Sequence, residues 1–115
     1  MLPLYQTKLY CSTLIFTGDN ISPDTNNWDV DSLLIKTQLD ISSNFKGKTV
    51  FLPGNNEWKS YKLNKIEKVE NYLKDIKRKN TAVVPNNGCP IDYRVINDDL
   101  DLIIIDSKWF VSNWS

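Results

Sequence analysis

The sequence predicts an α/β domain in the order strand, helix, strand, helix, β-hairpin. Three observations carry that expectation. Short β-branched and aromatic runs at Thr13 to Thr17, Lys48 to Leu52 and Leu100 to Asp106 read as buried strands. Two stretches of apolar residues at helical spacing separate the first two strands from each other and from the third. Strands alternating with helices of this length pair in parallel through crossover connections.

The elements follow in chain order. Leu2, Leu4, Leu9 and Tyr10, with Pro3 ahead of most of them, fit the tail of a helix. Thr13 to Thr17 is the first strand, ended by Gly18, and Gly18 to Trp28 is rich in turn-forming side chains. Asp29 is placed to cap a helix whose apolar stripe is Val30, Leu33, Leu34, Thr37 and Ile41. Gly47 breaks it, Lys48 to Leu52 forms the second strand, and Pro53 to Tyr61 is loop. Leu63, Ile66, Val69, Tyr72 or Leu73, and Ile76 make a second amphipathic helix, whose other face mixes lysines with acids as a solvated surface does. After Asn80 the pattern is irregular, with Asn86, Asn87, Gly88 and Pro90 as loop residues. Asp92 to Asn97 and Leu100 to Asp106 form a hairpin about Asp98-Asp99. Ser107 to Ser115 is rich in aromatic residues, which pad a core or an interface more readily than they line a groove.

Composition narrows the chemistry. The chain has 115 residues, 41% hydrophobic and 24% charged, enough for one domain with a modest core. Fourteen basic and fourteen acidic side chains balance, so bulk charge gives no preference for nucleic acid. Histidine is absent, which removes the commonest general base and transition-metal ligand. Cys11 and Cys89 are far apart and read as free thiols. No segment is apolar and long enough to span a bilayer, and Lys8 interrupts the apolar N-terminal stretch, so it does not read as a signal peptide. The sequons at Asn20 and Asn113 carry little weight without such a signal.

The chemistry-bearing residues stand at strand ends. Asp19, Asn55 and Asp106 each follow an apolar run, and ligands of α/β sheets bind outside the carboxyl ends of parallel strands. Aspartate and asparagine supply hard oxygen donors suited to Mg, Mn, Ca or Fe. Glycines before Asp19 and Asn55 allow sharp turns and close backbone approach to a metal or phosphate, although turns use the same residues freely.

IFTGDNISPD, followed by KTVFLPGNNEW and then NNGCPIDYRVINDDLDLIIIDSKWF, resembles the calcineurin-like metallophosphoesterases, in particular a bacterial branch. The resemblance spans nearly the whole chain. It implies a layered αββα domain, of which residues 1–115 form a single partial domain, and a hydrolase acting on a phosphoester substrate. It implies two divalent metal ions (Mn, Fe, Mg or Zn), bridged by Asp19, with Asn55 as an asparagine ligand of one. Asn56 stands where the family has a histidine near the leaving group, and asparagine can donate a hydrogen bond but cannot shuttle a proton. Glu57 would support the same region. The family's first motif has no candidate before Thr13, and its late histidine motifs would lie beyond Ser115. The chain is therefore expected to be weakly active or inactive alone, or to be a non-catalytic binding or regulatory module that keeps the fold. An unpaired edge on the first strand is expected to favour a complementing chain or self-association.

Overall fold

A computed structural model of the chain describes residues 12–23, 27–58, 64–78 and 80–111. The N-terminal helical tail, Cys11, Leu63, Asn113 and Trp114 lie outside the described residues. The elements are β1 (Thr13–Phe16), α1 (Trp28–Ile41), β2 (Lys48–Phe51), α2 (Asn64–Asp75), β3 (Thr81–Val83), β4 (Ile91–Asn97), β5 (Leu100–Ile105) and α3 (Ser107–Val111).

The expected α/β alternation is present, with one addition. β1, β2 and β3 form a parallel sheet in that order, Thr13 pairing with Lys48 and Phe51 with Val83. Thr81 to Val83 was expected to be irregular. It becomes a strand because Thr49 N–H donates to the Asn80 carbonyl and Val84 N–H to the Phe51 carbonyl, which draws the segment onto β2. Among the described residues β1 pairs only with β2.

The pleat of β2 sorts the two faces. Phe51 points to the helix side, where it stacks on Phe16 at 4.7 Å and joins Ile35, Leu39, Trp58, Ile66, Val69 and Leu73 in one core. Val50 points the other way, onto Val84 and Ile104, with Ile15, Leu52 and Leu102 around them. Helices therefore cover one face of the parallel sheet and the β4–β5 hairpin covers the other. The hairpin was expected and forms across Asp98-Asp99, with an irregularity between Val95 and Asn97. Residues 107–111, within the aromatic-rich end, form the short α3.

Helix α1 departs from expectation in both its cap and its buried face. Asn27, not Asp29, is the N-cap, its side chain accepting a hydrogen bond from Asp29 N–H at 3.0 Å. The buried residues are Asp31, Ile35 and Leu39, one face at i, i+4 and i+8. Val30, Leu33, Leu34 and Ile41 are exposed, Ile41 by 77%, and Thr37 is exposed as well. The helix is rotated because its polar residues serve the strand-end loop: Asp31 accepts from Ser22 N–H and Gln38 donates to the Asn20 carbonyl. Helix α2 buries Ile66, Val69 and Leu73 as expected, whereas Ile76 falls in the turn beyond it and is exposed. Trp28 and Tyr72 meet edge to face at 6.0 Å and join the two helices. Trp58 is fully buried and Trp109 packs against the helix-side core, so both act as core padding.

Candidate functional site

The site grows from the ends of β1 and β2. Parallel register carries both chains out of the sheet side by side, Leu52 N–H still donating to the Phe16 carbonyl at 2.9 Å. Beyond that bond each chain turns at a glycine. Gly18 has φ 106° and Asp19 has φ 51°, a left-handed pair of conformations that only the glycine adopts without strain. Gly54 lies directly against this turn. A Cβ on Gly54 would stand 2.3 Å from Asp19 N and 2.7 Å from Asp19 Oδ1, so only a glycine permits the approach.

Four hydrogen bonds then lock the two turns together. Asp19 Oδ1 accepts from Asn56 N–H at 2.9 Å. Asn56 Nδ2 donates to the Ile21 carbonyl, and Asn20 Nδ2 donates to the Leu52 carbonyl, both at 2.9 Å. Asn20 N–H donates to Glu57 Oε1 at 2.6 Å. The other oxygen of Glu57, Oε2, accepts from Gly54 N–H at 2.7 Å, which closes the second turn on itself. Glu57 is only 3% exposed. Burial raises its pKa above the ordinary glutamate range, and the two backbone N–H groups oppose that shift without cancelling it.

Asp19 and Asn56 are thus brought into direct contact, and Asn55 stands beside them on the same turn as Gly54. Asn55 and Asp19 are exposed. Asn56 N–H orients one oxygen of the Asp19 carboxylate, and the side chain is open to solvent. Aspartate and asparagine side chains are hard oxygen donors. Among the described residues no three acidic, thiol or imidazole groups gather in one place.

Asn55 also lines a cleft of about 380 Å³ whose walls include Thr17, Pro85, Ile104, Asp106, Ser107 and Lys108. Asp19 is not part of that lining; the cleft reaches it only through Gly54. Asp106, the third strand-end residue, faces inward instead. Its Oδ2 accepts from Trp58 Nε1 at 2.5 Å, and its Oδ1 accepts from Lys108 and Trp109 N–H at the start of α3. It ties the hairpin and α3 to the loop that follows Asn55.

Sequence reasoning did not single out Asp31, Gln38 or Lys108. Asp31 and Gln38 hold the first turn from α1, and Lys108 borders the cleft. An acid four residues before Ile35, on the face that turns inward, is the one signal that pointed to Asp31. Comparison with known proteins finds no matching family model, no matching curated protein and no matching solved structure.

Proposed function

We propose that this chain is a metallophosphoesterase-type α/β domain whose strand-end turns form one side of a divalent-metal site, with Asp19 and Asn55 as the oxygen ligands. The observation that carries the reading is the Gly18–Gly54 contact. Turns from adjacent parallel strands meet there, and Asp19 Oδ1 accepts from Asn56 N–H. When bound, a metal pair would supply an activated water and neutralise phosphoryl charge.

The chain's own residues divide the remaining work. Asp19 presents a carboxylate held at one oxygen. The Asn56 amide donates to the Ile21 carbonyl and so fixes the turn rather than reaching toward a phosphoryl oxygen. Glu57 is consumed by two backbone N–H groups and is a clasp. Ser107, on the cleft beside Asn55, offers a hydroxyl to an anionic substrate. With no proton-transferring group at Asn56, hydrolysis by this chain alone is slow.

A second reading follows from the same hydrogen bonds. With Asn56 and Glu57 both committed to holding loops, the domain would bind a phosphorylated ligand without turning it over. A manganese-supplemented assay separates the two. Turnover of an aryl phosphate that is lost in Asp19→Asn supports the phosphoesterase reading. Manganese-dependent binding of inorganic phosphate without turnover, lost in the same variant, supports the binding module. Manganese binding that is unaffected by Asp19→Asn defeats both.

A further inference from the structure

The β4–β5 hairpin turns only one of its faces to the protein. Leu102 and Ile104 pack inward around Val50 and Val84. The outer face is built from directly opposed pairs: Ile91 with Ile105, Tyr93 with Ile103, and Val95 with Asp101. Its five apolar members are 53% to 66% exposed. A sheet face in contact with water carries polar side chains at these positions. Here the pattern is inverted, because Asp92 and Arg94 occupy the alternate positions, where they pair with each other at 3.0 Å.

We propose that this outer face is the interface of a twofold dimer, its occupant being a second copy of the same chain. The area argues for it. Five side chains exposed to this degree offer at most roughly 500–600 Å² per copy, so a pair buries up to about 1,000–1,200 Å², the low end of specific interfaces. The shape argues for it as well. A two-stranded ribbon of aliphatic pairs with one aromatic ring is complementary to itself, which is what a twofold contact requires. Charge does not oppose it, since acidic and basic residues balance and two copies approach without net repulsion. The face's one carboxylate, Asp101, lies toward the hairpin turn and accepts from the Tyr93 hydroxyl at 2.5 Å, so it is hydrogen-bonded within the face. This contact is distinct from pairing along the β1 edge. It also reaches the candidate site, because Ile105 borders the cleft that holds Asn55.

Sedimentation velocity of the full chain across the micromolar range tests the proposal. The expected result is a dimer that dissociates on dilution. Ile103→Glu, which places a charge on the face without touching the core, should give monomer with unchanged circular dichroism. Tyr93→Ser should weaken the dimer in the same direction and guards against misfolding of the first variant. Leu33→Glu, on the exposed side of α1, should leave the dimer intact. A monomer at every concentration overturns the proposal. So does a dimer that survives both hairpin substitutions, or an open-ended oligomer that Leu33→Glu abolishes.

Discussion

Replacing Glu57 with glutamine removes one acceptor and changes nothing else in size. Both carboxylate oxygens are in use, one for Asn20 N–H and one for Gly54 N–H, and the group is buried. Glutamine has one carbonyl oxygen, so one of those N–H groups must face an NH₂ group. A hydrogen bond to a charged acceptor contributes about 1.5–3 kcal/mol, and a buried donor left without a partner costs a comparable amount. Glu57→Gln should therefore destabilise the chain by about 2–3 kcal/mol near neutral pH. At about 4 °C per kcal/mol for a chain of this size, the melting temperature should fall by roughly 8–12 °C. Urea unfolding followed by circular dichroism measures the change directly, with exposed Glu67→Gln as control. A Glu57→Gln midpoint equal to that of the control would refute the clasp.

The pH dependence has a definite sign. Glu57 holds its proton more tightly when folded than its ordinary value of 4.5, because burial outweighs the two N–H donors. Its contribution to stability is then fully present below that value and declines as pH rises through the folded one. The difference in stability between wild type and Glu57→Gln should slope downward from pH 4.5 toward neutrality, and a flat difference would contradict the shift.

Three further substitutions probe the same architecture. Gly54→Ala forces a methyl group to within 2.3 Å of Asp19 N and should cost about 1–3 kcal/mol while separating the two turns, a change visible in the amide shifts of Asp19 and Asn56. Trp58→Phe keeps a buried ring but leaves Asp106 Oδ2 without its indole donor, and should cost about 1–3 kcal/mol in urea unfolding. Ile35→Ala should cost about 2–5 kcal/mol. Leu33→Ala should stay within about 0.5 kcal/mol, and equal losses at the two positions would mean that α1 packs by the other stripe.

Much of the fold was legible because it is local. β1, β2 and the hairpin are apolar runs bounded by turn residues, and α2 carries a single apolar stripe that has only one way to face a core. α1 was not legible in this way. Its apolar residues run all round the helix, and the longer stripe through Val30, Leu33, Leu34 and Ile41 outweighed Ile35 and Leu39. What turns the shorter stripe inward is tertiary: Asp31 and Gln38 are drawn to backbone groups of Ser22 and Asn20. β3 escaped notice because its three residues carry too little pattern to outweigh the asparagines and prolines around them. The positions of Asp19, Asn55 and Asn56 followed from strand ends and glycines. The employment of Asn56 and Glu57 did not, since each bonds to backbone across a separation of 35 to 37 residues.

The claim that Asp19 and Asn55 form one side of a cation site is tested most directly by titrating manganese into ¹⁵N-labelled protein and recording amide line broadening. Broadening should centre on Gly18 to Asn20 and Gly54 to Asn56. It should disappear in Asp19→Asn, which can keep an oxygen to accept from Asn56 N–H while replacing Oδ2 with an NH₂ group and removing the charge. Broadening centred elsewhere, or unchanged in that variant, would contradict the account.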